Sequence, residues 1–174
     1  MLVGRKSGRV RVLLDSGSQR TFVTVRMARE LGCTVLHKEP LSVGTFGQRA
    51  LKVEMREVVW LNLKPLRGSS VVSVDAYVVP EISFIRNRHL EVVKENYAHL
   101  KGLWLSDVCM SNEELEVDVL VGADYLWMFQ KDLMLRGEPG GPVAVETVGL
   151  GDFRTYWAGE FRRESSCSCK LCNR

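Results

Sequence analysis

The chain reads as a mainly β domain with a few short helices, and three observations predict that class. Period-two alternation recurs in strand-length runs, most clearly in "SSVVSVDAYVVP". There Val72, Val74, Ala76 and Val78 share one face, and Ser73, Asp75 and Tyr77 share the other. Glycine-bearing turns separate runs that can pair as hairpins. Helical spacings are few and short, unlike the regular strand–helix alternation of a parallel α/β sheet.

The elements follow in order. In "RVRVLLDSGSQRTFV" a strand carried by Val10, Val12 and Leu14 stops at Asp15 and enters a Ser-Gly-Ser turn. Gly17 permits the sharp turn, and the Ser16 and Ser18 hydroxyls can brace it. "TFVTVRMARELGC" predicts a short strand, then one or two helical turns capped at Gly32. "LSVGTFGQRALKVEMREVVWLNL" predicts a hairpin with Gly44, Thr45, Phe46 and Gly47 at its tip. Pro80 ends the alternating strand quoted above. "RHLEVVKENYAHLKGLWL" has helical spacing at Leu90, Val93, Tyr97 and Leu100. "EVDVLVGADYLWMF" predicts a buried strand, a glycine and a helix starting near Asp124, and "GPVAVET" a further strand.

Composition limits the function classes. A chain of 174 residues, 45% hydrophobic and 26% charged, fits one folded domain with a real core. A net charge of +3 without a Lys/Arg block gives no case for a nucleic-acid partner. No apolar run approaches the roughly 18 residues of a membrane span, so no membrane partner is expected. "MLVGRKSGRV" lacks the apolar core of a secretion signal, and the five cysteines are an odd set. A reduced, cytoplasmic setting is the expectation.

An Asp-Ser-Gly tripeptide alone is most simply an Asx turn, and more sharply a catalytic carboxylate on a rigid loop. The order of motifs separates these readings. Leu13-Leu14-Asp15-Ser16-Gly17-Ser18, then the "SVGTFGQ" hairpin, then Leu120-Val121-Gly122 resemble the landmarks of retropepsin-type aspartic peptidases. "LLDSGSQRTFVT", "LSVGTFG", "HLKGLWLSD", "VDVLVGADYLW" and "GPVAVET" together resemble the aspartic peptidase domain in polyproteins of BEL/Pao-type LTR retrotransposons, over roughly residues 10 to 147.

The resemblance implies a retropepsin-like closed β-barrel, the acid-protease half, with a flap hairpin. It implies an aspartic endopeptidase that needs no cofactor and no metal. Asp15 is then the catalytic residue, and Ser16, Gly17, Ser18, Leu120, Val121 and Gly122 support its loop. Gly44, Thr45, Phe46 and Gly47 form the flap over an extended peptide or polyprotein substrate. Such chemistry takes two aspartates sharing a proton around one water. The other aspartates, Asp75, Asp107, Asp118, Asp124, Asp132 and Asp152, are not followed by Ser/Thr-Gly. A homodimer is therefore implied, one Asp15 from each copy. A catalytically inactive relic that only dimerises or binds peptide is the alternative.

Remaining residues take plainer roles. Asp124 reads as the N-cap of the helix "YLWMF". His37, His89 and His99 read as surface or helix residues. Cys167, Cys169 and Cys172 lack a fourth ligand, so zinc is not expected. The peptidase domain is set at 1–147. The segment 148–174 is expected to be a disordered, non-native tail, because Val148 to Trp157 can be encoded so that a one-base shift reads L-G-W-V-I-S-G-P-I-G. A run resembling that one follows "GPVAVET" in the family.

Overall fold

The computed structural model describes residues 6–43, 52–64, 70–85, 96–103, 114–148 and 153–157. Its strands are β1 (Val12–Leu14), β2 (Phe22–Thr24), β3 (Val35–Val43), β4 (Lys52–Leu63), β5 (Val72–Val79), β6 (Phe84–Ile85), β7 (Leu115–Glu116), β8 (Val119–Val121), β9 (Gln130–Arg136), β10 (Pro142–Thr147) and β11 (Phe153–Trp157). Helices α1 (Val25–Glu30) and α2 (Leu126–Phe129) and a 3₁₀ turn at Ala98–Leu100 complete them. No helix among the described residues is long and apolar enough to cross a membrane.

The main sheet runs β1-β8-β2-β5-β4-β3. β8 pairs parallel with β1, Leu13 beside Leu120, and antiparallel with β2, Phe22 beside Leu120. The two strands flanking the Asp15 loop therefore straddle β8. These strands are too short to be stable alone. They hold because Val12, Leu14, Val23, Val119 and Val121 are all buried in one core with Val59, Leu61, Val74 and Phe129. Each such side chain contributes roughly 1.5–3 kcal/mol.

The mainly β class holds, and β5 buries Val72, Val74, Ala76 and Val78 as its alternation requires. Tyr77, on the opposite face, is buried as well. A second small cluster of Leu41, Val58 and Tyr77, with Phe22 against it, covers that side of the sheet. The strand pairing is open: among the described residues the order ends at β1 and β3, which do not pair with each other to close the expected barrel. β3 stands at an edge because it and β4 form a long hairpin, paired from Val35 beside Val59 to Val43 beside Lys52. Val53 and Met55 are 62% and 63% exposed where those arms extend beyond the core.

Helix α1 ends as its sequence predicts. The Thr24 side chain accepts from Met27 N–H at the N-cap. At the other end Gly32 takes φ +63°, Gly32 N–H donates to Arg29 O and Cys33 N–H to Ala28 O. That pair of bonds is a Schellman motif. Near the N-terminal end of the helix Asp118, buried, accepts from Arg11 N–H at 2.7 Å and pairs with the Arg26 guanidinium.

β9, β10 and β11 form a separate antiparallel sheet, with β10 in the middle. β11 lies beyond the boundary expected at Thr147. The other edge of β10 takes that strand, Pro142 beside Trp157 through Glu146 beside Phe153. His99 lies in the 3₁₀ turn, as a residue read as surface or helix can, and is half-buried. Its Nε2 lies 2.9 Å from Pro142 O, and its ring fills the notch left by Gly137, where a Cβ would stand 2.3 Å away. Leu90 and Val93 of the expected helix, and His89, lie outside the described residues; Leu100 is fully buried.

Candidate active site

β1 delivers Asp15 to the head of a tight turn. Asp15 N–H donates to Val121 O at 2.9 Å, which continues the β1–β8 pairing by one residue. Gly17 N–H donates to Asp15 Oδ1 at 2.8 Å, and Ser18 N–H reaches Asp15 O at 3.3 Å. One carboxylate oxygen is thus tied to its own loop, and among the described residues no donor is paired with Oδ2. Asp15 is half-buried, while Ser16 and Gly17 are exposed. Gly17 sits tightly, since a Cβ there would stand 3.2 Å from Asp15 Oδ1.

The loop is then sewn to the strand–turn at Leu120–Gly122. The Ser18 hydroxyl donates to Arg20 O at 2.8 Å, and Ala123 N–H donates to Ser18 O at 2.8 Å. Gly122 lies against the Arg20 backbone: a Cβ would fall 2.4 Å from Arg20 O and 2.9 Å from Arg20 N. No side chain fits there. Val121 is fully buried, and Leu120 lies between Leu13 and Phe22.

Thr21 is the residue that the sequence did not single out. It is fully buried, its N–H and hydroxyl donate to Asp124 Oδ2 and Oδ1, and its hydroxyl also accepts from Gly122 N–H at 3.1 Å. Its carbonyl accepts from Tyr77 N–H at 2.9 Å. A threonine inside an expected strand carries no mark of such a role.

Asp124 is accordingly not the N-cap of α2. That helix begins at Leu126, Tyr125 occupies the cap position without a side-chain bond, and Gly122 O takes the first amide protons. Both Asp124 oxygens are committed to Thr21 instead.

The hairpin arms reach the same neighbourhood. Glu39 on β3 accepts from the Tyr77 hydroxyl on β5, and His37 Nε2 lies 3.3 Å from its other oxygen. The Tyr77 bond holds the Glu39 carboxyl below its ordinary value. Burial first, and then Glu39, push the Tyr77 phenol up. Gly44, Thr45, Phe46 and Gly47 lie outside the described residues, as do Cys167, Cys169 and Cys172. No cluster of metal-ligating side chains occurs among the described residues. On the outer side of the loop, Ser16 lines a groove with Gln130, Met134, Arg136, Val143 and Val145.

The arrangement presents a half-exposed carboxylate on a loop with little freedom to move. A family model described as aspartyl protease matches residues 4–125, from ahead of β1 to the turn before α2. Neither a curated protein nor a solved structure matches the chain.

Proposed function

From the premise that this chain belongs to the aspartyl protease family, and so carries an aspartic peptidase domain, we infer that it works as a homodimeric endopeptidase of BEL/Pao retrotransposon origin that cleaves polyprotein peptide bonds. The observation that carries this reading is the single Asp-Ser-Gly, whose Asp15 sits at the mouth of a doubly anchored loop.

Two Asp15 carboxylates facing each other cannot both ionise easily, so one keeps its proton. The ionised carboxylate takes a proton from the attacking water while the protonated one donates to the scissile carbonyl. The Gly17 amide helps to hold each carboxylate in line. Ser16 braces one loop against the other across the axis, and the hairpin covers a substrate bound in extended form.

The test is cleavage of a peptide library by the chain and by Asp15→Asn. Cleavage by the first, blocked by a statine-type mimic and absent from the second, supports the reading. Undiminished turnover in Asp15→Asn overturns the aspartic mechanism. A folded wild-type dimer that cuts nothing supports the inactive relic.

A further inference from the structure

We propose that β9 is the seam along which two copies of this chain join, edge to edge and antiparallel, with Met134 on the two-fold axis. This rests on the dimeric reading above and adds to it a strand, a register and an axis.

β9 is the outer strand of its sheet: β10 pairs with one side, and no strand among the described residues pairs with the other. An open edge offers a row of unpaired amide and carbonyl groups, which proteins ordinarily shield. β9 does the reverse and leaves Leu133 47% and Met134 37% exposed on that strand.

The sequence of β9, Gln-Lys-Asp-Leu-Met-Leu-Arg, selects the register. Directly opposed residues share a face of the sheet, so a two-fold axis normal to it must pass at a residue. With the axis at Met134, Asp132 of each copy faces Arg136 of the other, and Leu133 faces Leu135. Ion pairs then flank an apolar centre, as cross-strand pairing favours. At Leu133, charge would meet apolar side chain, Asp132 against Met134 and Lys131 against Leu135. At Asp132, Lys131 would meet Leu133. At Leu135, Met134 would meet Arg136.

A second observation leads to the same line. Met134 and Ser16 line one groove, together with Gln130, Arg136, Val143 and Val145. An axis at Met134 therefore passes beside the catalytic loop, where a shared pair of Asp15 residues needs it. The strand that takes the open edge beside this groove is β9 of a second copy of this chain.

The experiment is charge exchange, read by analytical ultracentrifugation of the full chain. Asp132→Arg sets like charges at both flanking positions of its own homodimer, and so does Arg136→Asp. Each variant alone should dimerise about tenfold more weakly. Mixed, each arginine again meets an aspartate, and dimerisation should return, which unfolded variants could not do. Opposed residues on antiparallel strands have Cα atoms about 4.5–5.5 Å apart, within disulfide reach. With the five native cysteines replaced by serine, oxidised Met134→Cys should therefore cross-link, whereas Lys131→Cys should not. Dimers of unchanged affinity in the single variants, or no rescue on mixing, overturn the seam and leave the dimeric peptidase standing. A chain that is monomeric yet cleaves removes the dimeric reading itself.

Discussion

Thr21 places its amide 3.0 Å from Asp124 Oδ2 and its hydroxyl 2.7 Å from Asp124 Oδ1, so a single carboxylate takes both donors of a residue 103 positions away. This pair closes the Asp15 loop onto the turn that follows β8. Losing the carboxylate leaves two donors of a fully buried residue without their acceptor. Asp124→Ala should cost about 2 kcal/mol, measured by denaturant unfolding, with a parallel fall in cleavage rate. Asp124→Asn should fall between, because an amide has one acceptor oxygen for two donors. Unchanged stability in Asp124→Ala would refute the clamp.

Two glycines of the site should respond differently. Gly122→Ala drives a methyl into the Arg20 backbone and should cost about 3 kcal/mol or more, or prevent folding. Gly17→Ala meets only the Asp15 carboxylate, at 3.2 Å. It should leave the melting temperature nearly unmoved and depress turnover by displacing that carboxylate. Equal losses of stability in the two variants would contradict this division.

What was legible in the sequence is what local chemistry decides. Asp15 with Gly17 announces a turn, Gly32 announces the end of α1, and the alternation at Val72, Val74, Ala76 and Val78 announces the buried face of β5. Relationships made across long stretches of chain were not legible. Asp124 looked like a cap because a helix follows it; the competing acceptor site on Thr21 is invisible until the strands pair. Tyr77 was placed outward correctly, but the Leu41–Val58–Phe22 cover on that side comes from three other strands. β9 gave no signal at all, since Leu133, Met134 and Leu135 run together without alternation.

The proposed sharing of the site between two copies makes a mixing experiment decisive. When the wild-type chain is combined in equal amounts with Asp15→Asn and allowed to exchange, its homodimers should make up about a quarter of all dimers, half their number before mixing. Its activity should fall below simple dilution. Activity that only halves would mean each chain works alone. Specific activity should also rise with enzyme concentration until the dimer saturates.

The Glu39–Tyr77 bond gives stability a pH signature with two limbs. The folded carboxyl of Glu39 lies below its ordinary 4.5, so the stability it contributes is present above that value and drains away as pH falls through the depressed one. The Tyr77 phenol lies above its ordinary 10.0, so its contribution is present below that value and is lost as pH rises through the raised one. Tyr77→Phe should flatten both limbs in thermal melts across the pH range. Limbs as steep as the wild type's would count against the bond.

The position of β8 between β1 and β2 also orders events in time. Arg11 and Asp118 exchange hydrogen bonds across 107 residues, and Asp15 is anchored only when Val121 has arrived. A chain leaving the ribosome residue by residue can form the β3–β4 hairpin early, but not the loop that aims its carboxylate. Asp15 is made 106 residues before the Val121 that anchors it. Synthesis itself therefore imposes a delay between making the Asp15 carboxylate and fixing where it points.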